Sequence, residues 1–174
     1  MPLFHRNQRG LSQVVTTLII LVVSVLLAGI VTYYATNITM TRTQQEEVQI
    51  IYAHCWVNSS DSAEAAFYLK NVGGRDVLID KVTIRGVESP WSNLYFNDSE
   101  RSADLSWIAY ENLTTAGLAQ ALDDIPVESS GVRIIYVVGP DNIDLTDIGT
   151  PVSITVFTMN GQWVEEVMVE YAGS

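Results

Sequence analysis

The sequence predicts an α+β protein, in which a long N-terminal hydrophobic α-helix precedes an all-β, immunoglobulin-like sandwich. Three observations carry that expectation. Residues 11–41 contain no charged side chain, and every one of the 20 acidic residues lies at or after Glu46. Beyond that point, short β-rich runs alternate with clusters of turn-forming residues. The chain has 174 residues and nine Lys+Arg, for a formal net charge of −11. That balance argues against a nucleic-acid partner, because phosphate affinity comes from Lys and Arg. One cysteine excludes an intrachain disulfide framework, and two histidines leave little material for a histidine metal centre. With 17% charged and 48% hydrophobic residues, the composition is that of a folded chain. No cofactor-binding or catalytic motif is present, and no enzymatic activity is expected.

The first element is a basic leader, residues 1–10, with His5, Arg6 and Arg9 and no acid. Losing it would remove two arginines and deepen the net charge to −13. Residues 11–41 come next, 31 in all. As a helix they extend about 46 Å, longer than a hydrocarbon core of about 30 Å. Residues 18–31, LIILVVSVLLAGIV, are apolar around the whole circumference, interrupted only by Ser24 and Gly29. Such a rod must be buried on all sides, by lipid or by protein. The 16 Leu, Ile, Val and Met side chains of residues 11–41 represent on the order of 25–50 kcal/mol of gross burial. Leu18, Ile19, Leu21, Val22, Val25, Leu26 and Ile30 are the candidate packing residues. Arginines before the run and acids after it predict a cytoplasmic N-terminus and an exported C-terminal part. Tyr33 and Tyr34 sit near the far end, as an interface belt in a membrane or between neighbouring helices in an assembly. Helix propensity weakens over residues 37–43, which are rich in Thr and Asn.

Three readings of this N-terminus are open. A cleaved secretory signal has an apolar region of about 7–15 residues, half the length found here, although Ala28 and Ala35 offer small residues for cleavage. A plain membrane anchor with an external domain is the second. The third rests on the junction RNQRG–LSQVVTTLIILVVSVLLAGIVTYYA, in which Arg9 and Gly10 directly precede the apolar run. Over residues 6–43 this arrangement resembles the class III leader of archaeal type IV pilins and archaellins. The resemblance implies cutting after Gly10 by a prepilin-type peptidase on the cytoplasmic side, leaving Leu11 as the mature N-terminus. Gly10 suits that role physically, since an absent side chain gives a protease access to the backbone. The helix is then retained, leaves the bilayer with the help of an assembly ATPase and platform protein, and packs against identical subunits in a filament core. Two features depart from relatives. Bacterial type IV pilins carry Glu at the fifth mature position, where this chain has Val15, with Ser12 and Gln13 the nearest polar side chains. Archaellins often read Gly-x-Gly-Thr-Leu where this chain has Val14, Val15, Thr16, Thr17, Leu18. These departures favour an adhesion-type pilus subunit over an archaellin.

The exported part, residues 46–174, reads as strands. Val48, Ile50, Tyr52, His54 and Trp56 recur every second residue, as on a half-buried strand. AAFYLKNV and DVLIDKVTIRGV flank Gly73-Gly74 and are expected to form a hairpin. VRIIYVV, residues 132–138, ends at the turn cluster Gly139-Pro140-Asp141-Asn142. PVSITVFTM and QWVEEVMVEY flank Asn160-Gly161, the pattern of a type I′ hairpin, with Trp163, Val167 and Val169 facing inward and Glu166 and Glu170 facing water. Residues 91–126 fit the strand pattern least and are expected to be an extended loop with one short helix over 116–122.

Candidate chemistry is sparse. His54, Cys55, Met159 and Met168 bring blue copper to mind, but that site needs two histidines, and His5 lies in the leader. Cys55 reads instead as a small buried apolar residue, or as an intermolecular disulfide partner. Asp141, Asp144 and Asp147 offer oxygens for Ca²⁺ but lack the Gly and closing Glu of an EF-hand loop, so a solvated acidic loop is the expectation. Asn37, Asn58, Asn97 and Asn112 begin N-x-[ST] sequons on the exported side and are candidate glycosylation sites.

Overall fold

The computed structural model describes residues 6–43, 45–97 and 105–173, with helical side chains described over residues 10–40. The chain divides after Thr43 into a helix and a β-rich head. The helix, α1, runs over Arg6–Thr43, 38 residues. It starts before Gly10 rather than after it. It also continues through the Thr- and Asn-rich stretch where propensity alone predicts weakening. Thr36 and Thr39 donate their hydroxyl protons to the carbonyls of Thr32 and Ala35, each at 2.8 Å. Thr16, Thr17, Ser24 and Thr32 do likewise to carbonyls three or four residues back. A hydroxyl bonded to its own helix neither needs water nor competes for the backbone. The helix therefore stays apolar even where its sequence is hydroxylated.

Among its described residues the head has ten strands, β1 Val48–Val57, β2 Ala63–Asn71, β3 Val77–Ile84, β4 Val87–Glu88, β5 Leu94–Asn97, β6 Ala119–Gln120, β7 Ile125–Val127, β8 Val132–Val138, β9 Pro151–Thr158 and β10 Gln162–Tyr171. They form one curled sheet in the order β4-β3-β9-β10-β1-β2-β8-β5-β6, with β7 also on β3. β10 makes the curl. Its first seven residues pair antiparallel with β9, and its last three pair parallel with Cys55–Val57 of β1. The two halves face one another across a core that includes Phe67, Leu69, Ile79, Ile84, Ile135 and Ile154, all fully buried. This is the sandwich-like head expected from the alternating pattern.

Several local expectations change. β1 carries a bulge: Ile51 pairs with Tyr68 and His54 with Ala66, three steps on one strand against two on the other. Tyr52 takes a left-handed φ of 50° there. The extra residue inverts the phase, so Val48 and Ile50 face the inner core before it and Cys55 and Val57 after it. Tyr52, expected inside, is exposed. The hairpin about Gly73-Gly74 does not form, because β2 pairs with β1 and β8 while β3 pairs with β4, β7 and β9. The glycine serves a close passage instead. Val72 and Gly73 both donate to the Glu47 carbonyl, and a Cβ on Gly73 would lie 2.6 Å from the Gln45 oxygen.

The terminal hairpin pairs as expected, and Trp163, Val167 and Val169 pack on the core while Glu166 and Glu170 stay exposed. Its turn is not type I′, since neither Asn160 nor Gly161 has positive φ. Asn160 is drawn away to the Glu46 carboxylate, which also accepts from the Thr158 hydroxyl at 3.1 Å. Positive φ at both turn residues occurs between β3 and β4, at Arg85 and Gly86. The helix expected over 116–122 is absent. Gly117 has φ 86°, and Ala119 and Gln120 pair with Phe96 and Tyr95, so the backbone spends its hydrogen bonds on a sheet edge. Leu105, Leu113 and Leu118 from this region cover Ala66, Tyr68, Tyr95, Ile134 and Tyr136 on the far face of the β1-β2-β8-β5 half. The segment is thus a third layer rather than a free loop.

Candidate assembly helix and an acidic pocket in the head

Within α1, Leu18, Ile19, Leu21, Val22, Val25, Leu26 and Ile30 are each between 53% and 64% exposed. The apolar residues between them are exposed as well, and no face of the helix is polar over residues 10–40. The stretch Gly10–Met40 is long and apolar enough to cross a membrane. Gly29 leaves a shallow groove bordered by Val25, Leu26, Ile30, Tyr33 and Tyr34. The two tyrosine rings meet edge to face at 5.9 Å. Gly10 lies in the second turn of the helix, with open space where a Cβ would be. Glycine costs about 1 kcal/mol relative to alanine inside a helix, at Gly10 as at Gly29. Leu11 is exposed; the side chain of Arg9 lies outside the described residues.

The sequons differ in presentation. Asn37 lies within the apolar helix. The Asn58 side-chain oxygen accepts from the Ser60 and Ser62 amides, both at 2.9 Å, which ties the residue into a turn. Asn97 is half-buried in β5, and the Asp98 and Ser99 of its sequon lie outside the described residues. Asn112 and Thr114 are both exposed at a 3₁₀ turn, the most open presentation of the four.

Cys55 is fully buried, and burial pushes its thiol up to about 12. His54 points to the opposite face, where its ring stacks on Trp56 at 5.2 Å. Among the described residues no group of three or more His, Cys, Asp or Glu is placed to hold a metal ion. The loop carboxylates have structural roles. Asp144 accepts from the Thr146 amide and caps a 3₁₀ turn. Asp147 meets Arg85 at 2.7 Å, and that guanidinium holds the Asp147 carboxyl below the usual range.

A site that the sequence pattern did not single out is Glu64. It stands at the start of β2 between Trp56 of β1 and Val138 of β8, on the face covered by residues 105–118. Only 1% of the residue is exposed. Its Oε1 accepts from the Ile108 amide at 3.2 Å, and no cationic side chain among the described residues is within reach. Burial pushes its carboxyl up to about 8, against which the single amide bond acts weakly. Glu64 lies at the wall of an open-mouthed cavity of about 660 Å³ with Asp61, Trp107, Tyr110, Glu111 and Asp141. The one signal in the sequence is an acid inside the small apolar run Ala63-Glu64-Ala65-Ala66.

No family model matches the chain, and no curated protein does. Among solved structures the chain is similar to a β-glucosidase from Listeria innocua in complex with glucose, with 12% identity and a TM-score of 0.27. The match covers 72% of this chain and 16% of that one. A likeness at that level carries no argument about fold or activity.

Proposed function

We propose that this protein is the structural subunit of an archaeal type IV pilus-like filament, polymerising through its N-terminal helix and serving adhesion. The observation that carries the reading is a charge-free stretch of α1, apolar on every face and longer than a bilayer, that follows Arg9-Gly10 within the helix and stands ahead of an acidic β-rich head. The precursor sits in the cytoplasmic membrane with its N-terminus inside. A prepilin-type peptidase cuts after Gly10, the platform and ATPase extract the subunit, and identical helices bury one another in the core. The β-rich head forms the sheath, where its negative charge and any glycans keep the filament dispersed.

Internal bonding of the hydroxyls of Thr16, Thr17, Ser24, Thr32, Thr36 and Thr39 supports this reading, because it lowers the cost of moving those side chains from lipid to a dry protein core. The head supports it by folding around a core of its own. The other reading consistent with the helix is a membrane-anchored surface module that never polymerises. N-terminal sequencing of native material separates them: Leu11 at the N-terminus favours the filament, Met1 the anchor. Replacing Gly10 with a bulky residue is expected to leave an unprocessed membrane precursor, and normal filaments from that variant would refute the processing step.

A further inference from the structure

The acidic cavity of the head is unused by an assembly function, and its chemistry is specific. Its walls carry Asp61, Glu111, Asp141 and Asp144, and no Lys or Arg among the described residues lines it. Trp107 and Tyr110 contribute aromatic surface. At its inner wall Glu64 is almost wholly removed from water, with one amide donor and no counter-charge among the described residues. A carboxyl group in that state is a polar group awaiting a partner. The carboxylates are not spaced to converge on a metal ion. They stand around a space of about 660 Å³, within the range of small-molecule pockets.

We infer that this pocket binds a small organic cation, an alkyl ammonium or diammonium compound, with Glu64 as its buried anchor and Trp107 and Tyr110 packing over the charge. The aromatic faces attract an ammonium group through their quadrupoles, more strongly where water is excluded. On this inference one ammonium of a diamine pairs with Glu64 and the other with a second carboxylate of the cavity wall, an arrangement that does not need the carboxylates to converge as a metal ion would. Binding is coupled to a proton. Glu64 holds its proton at neutral pH, and an arriving cation favours the ionised form, so the proton leaves to solvent as the ion pair forms. The other charges facing this region are Asp61, Glu111, Asp141 and Asp144 at the cavity and Glu170 on β10 beside Trp56, with the His54 imidazole, stacked on Trp56, 3.6 Å from the Glu170 carboxylate. The carboxylates of the cavity attract the ligand, while burial is what keeps Glu64 protonated before it arrives.

The test is isothermal calorimetry on the full-length chain in non-ionic detergent, with 1,4-diaminobutane as probe and 1,4-butanediol as its uncharged counterpart. Saturable one-to-one binding of the diamine alone is expected, with affinity rising about tenfold or more between pH 6.5 and 8.5. Titrations in two buffers of different ionisation heat should show proton release on binding in the unaltered protein. Glu64→Gln should abolish both the pH rise and the proton release, and Asp141→Asn should weaken binding several-fold. Absence of saturation at tens of millimolar diamine would overturn the inference. So would equal affinity in Glu64→Gln, which would mark the response as diffuse attraction to an acidic surface.

Discussion

Glu64 shows how one side chain can set the pH response of a domain. Its folded carboxyl titrates near 8, above the ordinary value of 4.5. Between those two pH values the unfolded chain gives up this proton and the folded chain keeps it. Stability is therefore full below about pH 4.5, falls as pH rises towards 8, and levels off beyond. The loss attributable to this group is up to about 4–5 kcal/mol. Glu64→Gln is expected to flatten that decline, which urea denaturation of the full chain at pH 5, 6.5 and 8 would reveal; an unchanged slope would place the titration elsewhere. Cys55 gives the opposite kind of prediction. Buried and with its thiol near 12, it should resist aromatic disulfide reagents in the native protein and react fully once unfolded. Rapid native labelling would contradict its placement in the core, and burial also removes it as an intermolecular disulfide partner in the folded head. The Glu64 property is not legible from neighbours in sequence, because Glu64 is covered by the segment around Ile108, whereas the burial of Cys55 follows from its residue type and the bulge at Tyr52 supplies the turn inward.

The elements divide by whether their pattern is self-contained. β8 and the β9–β10 hairpin are legible because alternation and turn residues act locally, and their strands pair as that pattern requires. β5, β6 and β7 are not, since two to four residues carry too little periodicity and are strands only because a partner edge receives them. The false hairpin at Gly73 teaches the same lesson, as a double glycine serves a tight turn or a close crossing equally well. The crossing has a measurable consequence. A Cβ at position 73 meets backbone atoms of Gln45 and Glu47 at 2.6 and 2.7 Å, so Gly73→Ala should cost roughly 2–4 kcal/mol in chemical denaturation. At Gly161 the added atom meets only the tip of the Trp163 ring at 2.7 Å, and a side chain can shift where a backbone cannot. Gly161→Ala should therefore be the milder change, by about half or more. If the order is reversed, the passage at Gly73 is looser than described. In the helix, Leu26→Arg should oppose membrane insertion by about 3 kcal/mol, visible as lost membrane fractionation.

For the whole molecule, the two units have opposite relations to water. The head hides its apolar side chains within a core and a covered outer face. The helix hides none over residues 10–40, and intrahelical bonds of six of its hydroxyls reduce its remaining polarity. A fragment of residues 44–174 is expected to be a monomer in buffer without detergent, with an unfolding transition like that of the head in the full chain. The full chain should need detergent, lipid or copies of itself. Sedimentation of both species checks this, and a full-length monomer in plain buffer would remove the physical basis of the assembly proposal.

The sequence by itself determined the division of the chain, the apolar rod and the strand-rich character of the acidic remainder, because hydropathy and period-two alternation are properties of consecutive residues. Tertiary structure alone decided which strands are neighbours, which way β1 faces after its bulge, and that residues 105–118 form a covering layer. Those outcomes depend on contacts between residues far apart in the chain, where a single inserted residue or a passing backbone inverts what local pattern implies. The acidic cavity belongs to that second group: its carboxylates are scattered from Asp61 to Asp144, and only folding turns one of them into a buried acid without a counter-charge among the described residues.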